Sequence, residues 1–405
     1  MSCTRQTETI YVNIAATLRF GGITGIQRVV RKLFDELHQT TVGNLTFVFG
    51  ANTPKGCYTA AAEDLIPISA GSESQLGKLT LFQRLPFPIK SGLRTFYRRY
   101  IARDAYGTKH LIKIPKNAWE LELDSPWIDD WRQYPQFRNT INLLYDVTPL
   151  SHGEYCQPEA SYLFVKWLKH NLPKSRGIIS ISQASLCCIL TTLQRNNISF
   201  PSNCRFFYLG SNLTNKPLSL TQQSNPYFLF VGSIAPQKNI SLLLEAYTEC
   251  RTRGGDWPLV VLGRSAGFNQ LERRIIALSD LGIVWLNNAK DNDLQQTYAA
   301  CSVVIAPSVW EGFGLPLVEA LSFQKTVIAS DIEVYKELAA GAFNFFDVTS
   351  VASLAKRMQE AEQGGLYRSD GSNIPGLLNW QQSAFLFADA VFQILKEITQ
   401  IEDDL

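Results

Sequence analysis

The chain has 405 residues, which is too long for one ordinary domain and favours two or three. It is 45% hydrophobic and 18% charged, an ordinary globular balance, and a net charge of +2 gives no reason to expect a nucleic-acid partner. Its eight cysteines show neither a CxxC pair nor a Cys/His ligand spacing, so a secreted disulfide scaffold and a zinc site are not indicated and a reducing cytosol is expected.

The first half opens with a strand, a glycine loop and a helix. We predict a strand over Ile10–Ala15, a turn with three glycines over Thr17–Gly25, and a helix over Ile26–Leu37, where apolar residues recur at helical spacing. This order is typical of the start of a nucleotide-binding-like half. Gly22 can let the backbone approach a diphosphate or an acceptor closely, or can simply form a tight turn. Arg28 faces either a ligand cleft or solvent.

A basic segment then interrupts the pattern at residues 84–116, after strands predicted at Phe47–Phe49 and Leu65–Ile68. It carries nine Lys or Arg residues against one acid, Asp104, with aromatic and aliphatic residues between them. Such a segment favours an anionic membrane surface. A solvated helix face and a nucleic-acid patch are the alternatives. The N-terminus lacks a signal-peptide profile and no apolar run approaches the ~20 residues that span a bilayer, so we expect peripheral contact at most.

An acidic residue ends the strand predicted at Thr140–Tyr145. Asp146 follows it directly and His152 comes six residues later. Side chains just past the carboxyl end of a central strand lie where α/β sheets place chemistry. The plain alternatives are an Asx-type turn at Asp146 and a surface-loop position for His152.

The first half ends in a polar linker. Before it, helices are predicted over residues 159–170 and 183–193, with strands at Gly177–Ile181 and Arg205–Leu209. Ser182 suits the N-cap of the second helix. The stretch Gly210–Pro226 is rich in Ser, Asn, Thr and Pro, which predicts an interdomain connection. We therefore predict domains over residues 1–215 and 216–382, followed by a closing segment over 383–405.

The second half alternates strands and helices with few interruptions. The predicted strands are Tyr227–Val231, Leu259–Leu262, Ile283–Leu286, Val303–Ala306, Thr326–Ala329 and Phe343–Phe346. The predicted helices cover residues 239–252, 269–279, 291–300, 316–323, 333–339 and 350–362, and Ser383–Gln400 forms a long amphipathic closing helix. This regularity indicates a parallel, doubly wound sheet.

The stretch VVIAPSVWEGFGLPLVE, residues 303–319, carries the strongest functional signal. A buried strand ends before a glycine-rich turn that starts at Glu311, and Pro316 suits the first turn of the following helix. The free N–H groups of that helix start favour hydroxyls, phosphates or developing negative charge. Glu319 lies about one turn into the helix. Two carboxylates at this spacing can flank a sugar nucleotide, although an ordinary strand-turn-helix unit is the plain alternative.

A lysine also follows the first strand of this half. Gly232 and Ser233 form a turn, and Lys238 comes at the next helix start, where a diphosphate can bind. A surface lysine is the alternative. Arg264 lies directly after the second strand, and a solvent-exposed position is its alternative.

Residues 303–319 closely resemble the donor-site signature of retaining, nucleotide-sugar-dependent glycosyltransferases of family four. Members of that family have the GT-B fold: two Rossmann-like doubly wound domains face each other across a cleft, and the last helix returns to the first domain. The run TGIQRVV, residues 24–30, is similar to bacterial members that build surface polysaccharides. Members usually have Arg at the position of Ser233 and Lys at that of Lys238. This chain keeps only the lysine, and Arg264 is a candidate replacement.

The resemblance also implies roles for the site residues. Glu319 would bind the ribose hydroxyls, Glu311 would lie beside the transferred sugar, and Lys238 would offset charge on the leaving nucleoside diphosphate. Donor contacts are expected from the backbone of Gly312, Phe313, Gly314 and Leu315, and from Gly232, Ser233, Arg264 and Gly22. Asp146 would act near the reacting sugar, with His152 and Arg28 toward the acceptor. No enzyme nucleophile is implied.

We therefore predict a retaining, metal-independent glycosyltransferase that acts on a lipid-linked glycan in surface-polysaccharide or O-antigen biosynthesis. The donor half has no Asp-x-Asp motif, and the adjacent Asp129 and Asp130 lie in the other half. The enzyme would be cytoplasmic, with possible contact to the inner face of the membrane. The alternatives are a GT-B-like epimerase or phosphorylase-like enzyme, and a non-catalytic sugar-nucleotide-binding or scaffold subunit, which the missing arginine at 233 makes conceivable.

Overall fold

The computed structural model describes most of the chain outside one long segment. The described residues are 7–20, 25–38, 41–53, 56–65, 111–115, 117–128, 137, 139–211, 225–287, 289, 291–339, 341, 343–368 and 374–403. The chain divides into two compact units. The first unit contains residues 1–180, 188–207 and 384–405, and the second contains residues 181–187 and 208–383.

The first unit is built on a nine-stranded sheet, counted over the described residues, with the strand order β5-β4-β3-β1-β6-β7-β8-β9 and β2 beside β3. Its strands are β1 (Glu8–Asn13), β2 (Thr41–Val42), β3 (Leu45–Thr53), β4 (Gly56–Thr59), β5 (Leu111–Ile112), β6 (Trp119–Glu122), β7 (Asn139–Leu144), β8 (Gly177–Ser180) and β9 (Cys204–Phe206). Six strands, in the spatial order β3-β1-β6-β7-β8-β9, pair in parallel. Strands β2, β4 and β5 pair antiparallel.

The described part of the first half contains the three helices that the sequence predicts and two short ones that it does not. They are α1 (Ala15–Phe20), α2 (Gly25–Leu37), α3 (Thr148–Ser151), α4 (Pro158–Asn171) and α5 (Gln183–Arg195). Helix α2 buries the apolar face that its periodicity predicts. The predicted N-cap of α5 is confirmed, because Ser182 Oγ accepts a hydrogen bond from Ser185 N at 3.0 Å.

The second unit contains a parallel six-stranded sheet with the order β13-β12-β11-β14-β15-β16. The strands of this sheet are β11 (Phe228–Val231), β12 (Leu259–Leu262), β13 (Ile283–Leu286), β14 (Val303–Ala306), β15 (Thr326–Ser330) and β16 (Asn344–Phe346). Two further strands of the unit, β10 (Gly210–Ser211) and β17 (Leu378–Asn379), pair with each other in a separate sheet. The helices of the unit are α6 (Ile240–Thr252), α7 (Asn269–Ala277), α8 (Asp291–Ala300), α9 (Leu315–Ser322), α10 (Glu333–Ala339) and α11 (Val351–Glu362). The predicted doubly wound sheet is confirmed.

The last helix, α12 (Trp380–Asp403), packs mainly within the first unit. Phe387 lies against Phe47 and Phe207, with ring centroids 6.2 and 5.1 Å away. A Cβ atom on Gly177 would lie only 2.8 Å from Ile394 Cγ2, so this helix and strand β8 approach closely. The closing helix thus completes the core of the first unit, as the sequence predicts.

Three local predictions are wrong. The turn predicted over Thr17–Gly25 begins as helix α1, because Asn13 Oδ1 accepts a hydrogen bond from Ala15 N at 3.2 Å and ends the strand there. Leu65 ends a short 3-10 helix rather than starting a strand, since Ala61 N donates to Asp64 Oδ2 at 2.8 Å. The start of the predicted linker, Gly210–Ser211, is strand β10. Of the basic segment 84–116, only residues 111–115 are described.

Strand β6 carries acidic side chains into the interior of the first unit. Glu120 and Asp124 are buried. Asn52 Nδ2 donates to Glu120 Oε1, and Asn13 Nδ2 donates to both oxygens of Glu122 at 3.1 and 3.0 Å. Burial, with repulsion from Glu122, holds the pKa of Glu120 well above its usual range. Burial also raises the pKa of Glu122 to about 7, which the Asn13 bond only partly opposes.

Stability of the protein should therefore fall as pH rises from about 5 to about 8. Because the folded pKa of Glu122 lies above its unfolded value of 4.5, its contribution is present below that value and is lost as pH passes through about 7. The free energy of unfolding that Glu122 contributes should fall by about 3 kcal/mol when the loss is complete. Thermal midpoints measured across this range should fall less steeply in Glu122→Gln, while the control Glu36→Gln on helix α2 should follow the wild type. An unchanged slope in Glu122→Gln would contradict the assignment.

Candidate functional site

The site lies where the strand order of the second unit reverses. Strands β11 and β14 are neighbours at the centre of the sheet, and later strands are added outward on both sides. In such sheets, ligands bind beyond the carboxyl ends of the strands at this switch point. The loops after both strands meet there, because Val309 N donates to Gln237 O at 3.0 Å. The two predicted donor segments are therefore brought together.

Glu311 and Lys238 form an ion pair at this point. Lys238 Nζ bonds to Glu311 Oε1, which also accepts hydrogen bonds from Ser308 Oγ at 2.8 Å and Tyr335 OH at 3.4 Å. The lysine and glutamate side chains are only 16% and 14% exposed. Within the described residues, all these donors reach Oε1 and none reaches Oε2. The second carboxylate oxygen is therefore available to a ligand hydroxyl.

Tyr335, on helix α10, holds both ends of the glycine-rich loop. Burial keeps its pKa well above its usual range, and the negative charge of Glu311 raises it further, so the phenol stays a donor. Its ring lies against Gly314, where a Cβ atom would be 2.6 Å from Tyr335 Cε1. Gly314 also has a φ of +94° as the N-cap of α9, with Pro316 in the first turn. Both facts require glycine at this position.

Phe313 and Glu319, two predicted donor residues on either side of Gly314, differ in the groups that they offer to a ligand. Phe313 is buried, and its ring centroid is 6.2 Å from that of Tyr208, so the side chain anchors the loop and leaves only its backbone for a ligand. Glu319 is 2% exposed in helix α9, and its Oε2 atom lies 3.0 Å from Tyr298 OH. A tyrosine thus orients the carboxylate. Its contact with ribose hydroxyls stays a prediction.

The turn after β11 packs directly against the end of β12. Gly232 N donates to Leu262 O at 3.0 Å, and a Cβ atom on Gly263 would overlap the carbonyl oxygen of Gly232. Ile234 N donates to Arg264 O at 2.8 Å. Because these backbones are paired, exposed Arg264 lies one strand away from exposed Ser233. This placement is compatible with a replacement cation, and the phosphate role of Arg264 stays a prediction.

The predicted acceptor-side residues belong to the first unit. Asp146 Oδ1 accepts a hydrogen bond from Thr148 N at 2.9 Å, which is the Asx-type turn considered above. His152 Nδ1 lies 2.9 Å from Ser151 Oγ, and its ring stacks on that of Tyr155. Arg28 is half-buried on helix α2. Their catalytic or acceptor roles stay predictions. Gly22, Asp129 and Asp130 lie outside the described residues.

Among the residues that the structure describes, no group of three or more His, Cys, Asp or Glu side chains is arranged to hold a metal ion. None of the described helices combines the length and the apolar character needed to cross a bilayer.

Comparison with known proteins identifies the half that carries this site. Residues 214–372 match the family described as Glycosyl transferases group 1. The matched residues include Lys238, Glu311, Glu319 and the switch point between β11 and β14. The predicted resemblance to glycosyltransferases is confirmed by this match.

Similar curated proteins extend the similarity beyond residues 214–372. The serotype-specific mannosyltransferase WbdA of Escherichia coli is 27% identical over 403 residues, which cover 94% of this chain and 44% of that protein. The O-antigen chain mannosyltransferase B of Escherichia coli is 30% identical over 148 residues, covering 35% of this chain and 38% of that protein. This chain thus spans less than half the length of the WbdA protein that it matches.

Solved structures show the fold of the whole chain. Sucrose-phosphate synthase from Thermosynechococcus elongatus matches with a TM-score of 0.57 at 15% identity, covering 98% of this chain and all of that one. HepE from Anabaena, solved in complex with UDP and glucose, matches with a TM-score of 0.54 at 16% identity, covering 99% of this chain and all of that one. The predicted GT-B fold is thereby confirmed.

Proposed function

We propose that this chain transfers a sugar, with retention of configuration and without a metal ion, from a nucleoside-diphosphate donor to a growing glycan of a bacterial surface polysaccharide. One observation carries the proposal. A half-buried Lys238–Glu311 pair lies at the switch point, within the residues that match the group 1 glycosyltransferases, with one carboxylate oxygen unused by the described residues. Cation, carboxylate and helix start can thus converge on one activated sugar.

The proposed roles follow from the charges at the site. Lys238 stabilises the negative charge that develops on the diphosphate as the bond from the anomeric carbon to the phosphate oxygen breaks. Glu311 Oε2 accepts a hydrogen bond from a hydroxyl of the transferred sugar, and Glu319 binds the ribose. The acceptor hydroxyl attacks the anomeric carbon on the face that the diphosphate leaves, and its proton passes to the departing phosphate oxygen. This route needs no glycosyl-enzyme intermediate.

The names of the relatives suggest which substrates to test. WbdA and O-antigen chain mannosyltransferase B are named as mannosyltransferases, and the second is named for the O-antigen chain. We therefore propose a mannosyl donor and an O-antigen-type, lipid-linked glycan acceptor for this chain. The comparisons do not favour an epimerase or a phosphorylase-like enzyme.

The test is a donor screen followed by turnover. UDP-, GDP-, dTDP- and CMP-sugars are added to the whole chain, and a true donor well above its Kd should stabilise the fold by ~2–4 kcal/mol. That donor should then be hydrolysed slowly, and transferred to glycan acceptors, in the presence of EDTA. Glu311→Ala and Lys238→Ala should abolish turnover, while Lys336→Ala, at an exposed site on α10, should not. Inactivity that EDTA causes and Mg²⁺ reverses would refute metal independence.

A specific observation keeps one other function testable. Ser233 stands where the resembling family usually has arginine, so one phosphate-binding cation is missing at that position. The second candidate is therefore a subunit that binds the donor without catalytic activity. Tight donor binding with no turnover on any acceptor would support that subunit and overturn the transferase proposal.

We further propose that the basic segment 84–116 binds the anionic inner surface of the cytoplasmic membrane, where a lipid-linked acceptor would be found. The support is its nine cations against one acid. Flotation with anionic liposomes tests this directly. Neutralising Arg94, Arg98, Arg99 and Arg103 together should abolish flotation, and unchanged binding would refute the proposal.

A further inference from the structure

The carbonyl of Gly312 is held by a segment far away in the chain. Ser182 Oγ and Ser185 Oγ both donate to Gly312 O, at 2.8 and 2.6 Å. The two serines lie at the start of helix α5, in the stretch 181–187 that belongs to the second unit. Both are buried. The residue next to Glu311 is thus fixed by two hydroxyl groups that its own loop does not supply.

Glu337 holds the start of helix α5 in turn. Its Oε1 atom accepts a hydrogen bond from Gln183 N at 2.8 Å, and its Oε2 atom accepts one from Ala184 N at 2.6 Å. A carboxylate at a helix N-terminus satisfies N–H groups that otherwise lack partners. Glu337 also contacts Tyr208, where burial and this carboxylate raise the pKa of the phenol to about 12. Helix α10 therefore carries both Glu337 and Tyr335, which bonds to Glu311.

The serine contacts have a consequence for the neighbouring N–H group. In a trans peptide, the C=O of Gly312 and the N–H of Phe313 lie in one plane and point in opposite directions. With Gly312 O aimed at the serines, Phe313 N–H points away from them. No acceptor for this N–H occurs among the residues that the structure describes. The serines therefore leave a fixed backbone donor beside Glu311.

We infer that Ser182, Ser185 and Glu337 are positioning residues of the donor site, which aim the Phe313 N–H and hold Glu311 in place for the transferred sugar. This inference rests on the proposed function, because it assumes that the sugar binds beside Glu311. None of the three residues touches the ion pair itself. Their effect is expected on turnover, since a misaligned donor group mainly loses stabilisation of the transition state.

The test compares hydroxyl removal with hydroxyl retention. Ser182→Ala/Ser185→Ala and Glu337→Ala should each lower kcat at least about tenfold, with KM for the donor within about threefold of the wild type. Ser185→Thr, which keeps a hydroxyl, should retain most of the activity. Glu333→Ala, at an exposed position on helix α10, which also carries Glu337, should have the kcat of the wild type. Wild-type kcat in the double serine variant would overturn the inference.

Hydrogen exchange supplies a readout that does not depend on activity. In the free protein, exchange at the 310–314 loop should be faster in Glu337→Ala and in the double serine variant than in the wild type or Glu333→Ala. If these variants do not fold, the single variants Ser185→Ala and Ser185→Thr are compared instead, by kcat and by exchange at the 310–314 loop. Turnover that is absent in the wild type would refute the proposed function. Turnover in the wild type, with loop exchange and kcat unchanged in the variants, would refute only the positioning role.

Discussion

Replacing Glu311 by glutamine should lower kcat for sugar transfer by about 10²–10³-fold while leaving the fold intact. The amide keeps the shape of the side chain but removes the charge that Lys238, Ser308 and Tyr335 now converge on. Lys238 then loses its partner and its fixed position against the diphosphate. Steady-state kinetics with the donor found in the screen, together with the thermal midpoint, would measure both effects.

The pair should also behave as one unit. Because the two side chains touch, Lys238→Met/Glu311→Gln should lose about as much activity as the worse single variant, not the product of the two losses. The exposed Lys336–Glu333 pair on α10 provides the matched control, since Lys336→Met/Glu333→Gln should leave kcat unchanged. Independent, multiplicative losses at Lys238 and Glu311 would show that the ion pair is not the functional arrangement.

Gly263→Ala should destabilise the second unit more than most single substitutions, by about 4 kcal/mol. The new methyl group would occupy the same space as the carbonyl oxygen of Gly232, and this neighbour is backbone that cannot rotate away. Strands β11 and β12 must then separate at their carboxyl ends, which also displaces the turn before Lys238. Chemical denaturation followed by tryptophan fluorescence would measure the loss.

A glycine in open space provides the control for that substitution. Nothing lies within 4 Å of a Cβ atom built on Gly25, which begins helix α2. Gly25→Ala should therefore leave stability unchanged or raise it slightly, since alanine favours a helix more than glycine does. If Gly263→Ala proved as stable as Gly25→Ala, the close approach of the two strand ends would be contradicted.

The six-stranded sheet of the second half could be predicted from sequence because its strands are short, largely apolar runs, of which Val303–Ala306 is buried throughout. Strands Leu259–Leu262, Ile283–Leu286 and Val303–Ala306 have the predicted bounds. Strand β6 in the first half, Trp119–Glu122, is not predicted, because its buried carboxylates interrupt the apolar pattern. Asn13 and Asn52 make that burial possible by hydrogen bonding, and this pairing of distant residues is invisible in a linear sequence.

The candidate site also contains some residues that local sequence signals identify and others that only long-range contacts reveal. Glu311, Gly314 and Lys238 could be singled out because glycines, a proline and charges stand at strand ends, where local signals are strong. Tyr335 could not, since a tyrosine at helical spacing looks like ordinary core. The contact of Ser182 and Ser185 with Gly312 spans about 130 positions and leaves no periodic signal.

That long-range contact sets a limit on modular exchange. A fragment restricted to residues 214–372 would keep Lys238 and Glu311 yet lose the hydroxyl donors at Gly312, and Glu337 would be left without the amides that it caps. Any chimera that borrows this donor specificity must therefore carry the start of helix α5 from the same parent. Recombination within the gene would face the same restriction, so the two distant stretches should be inherited together.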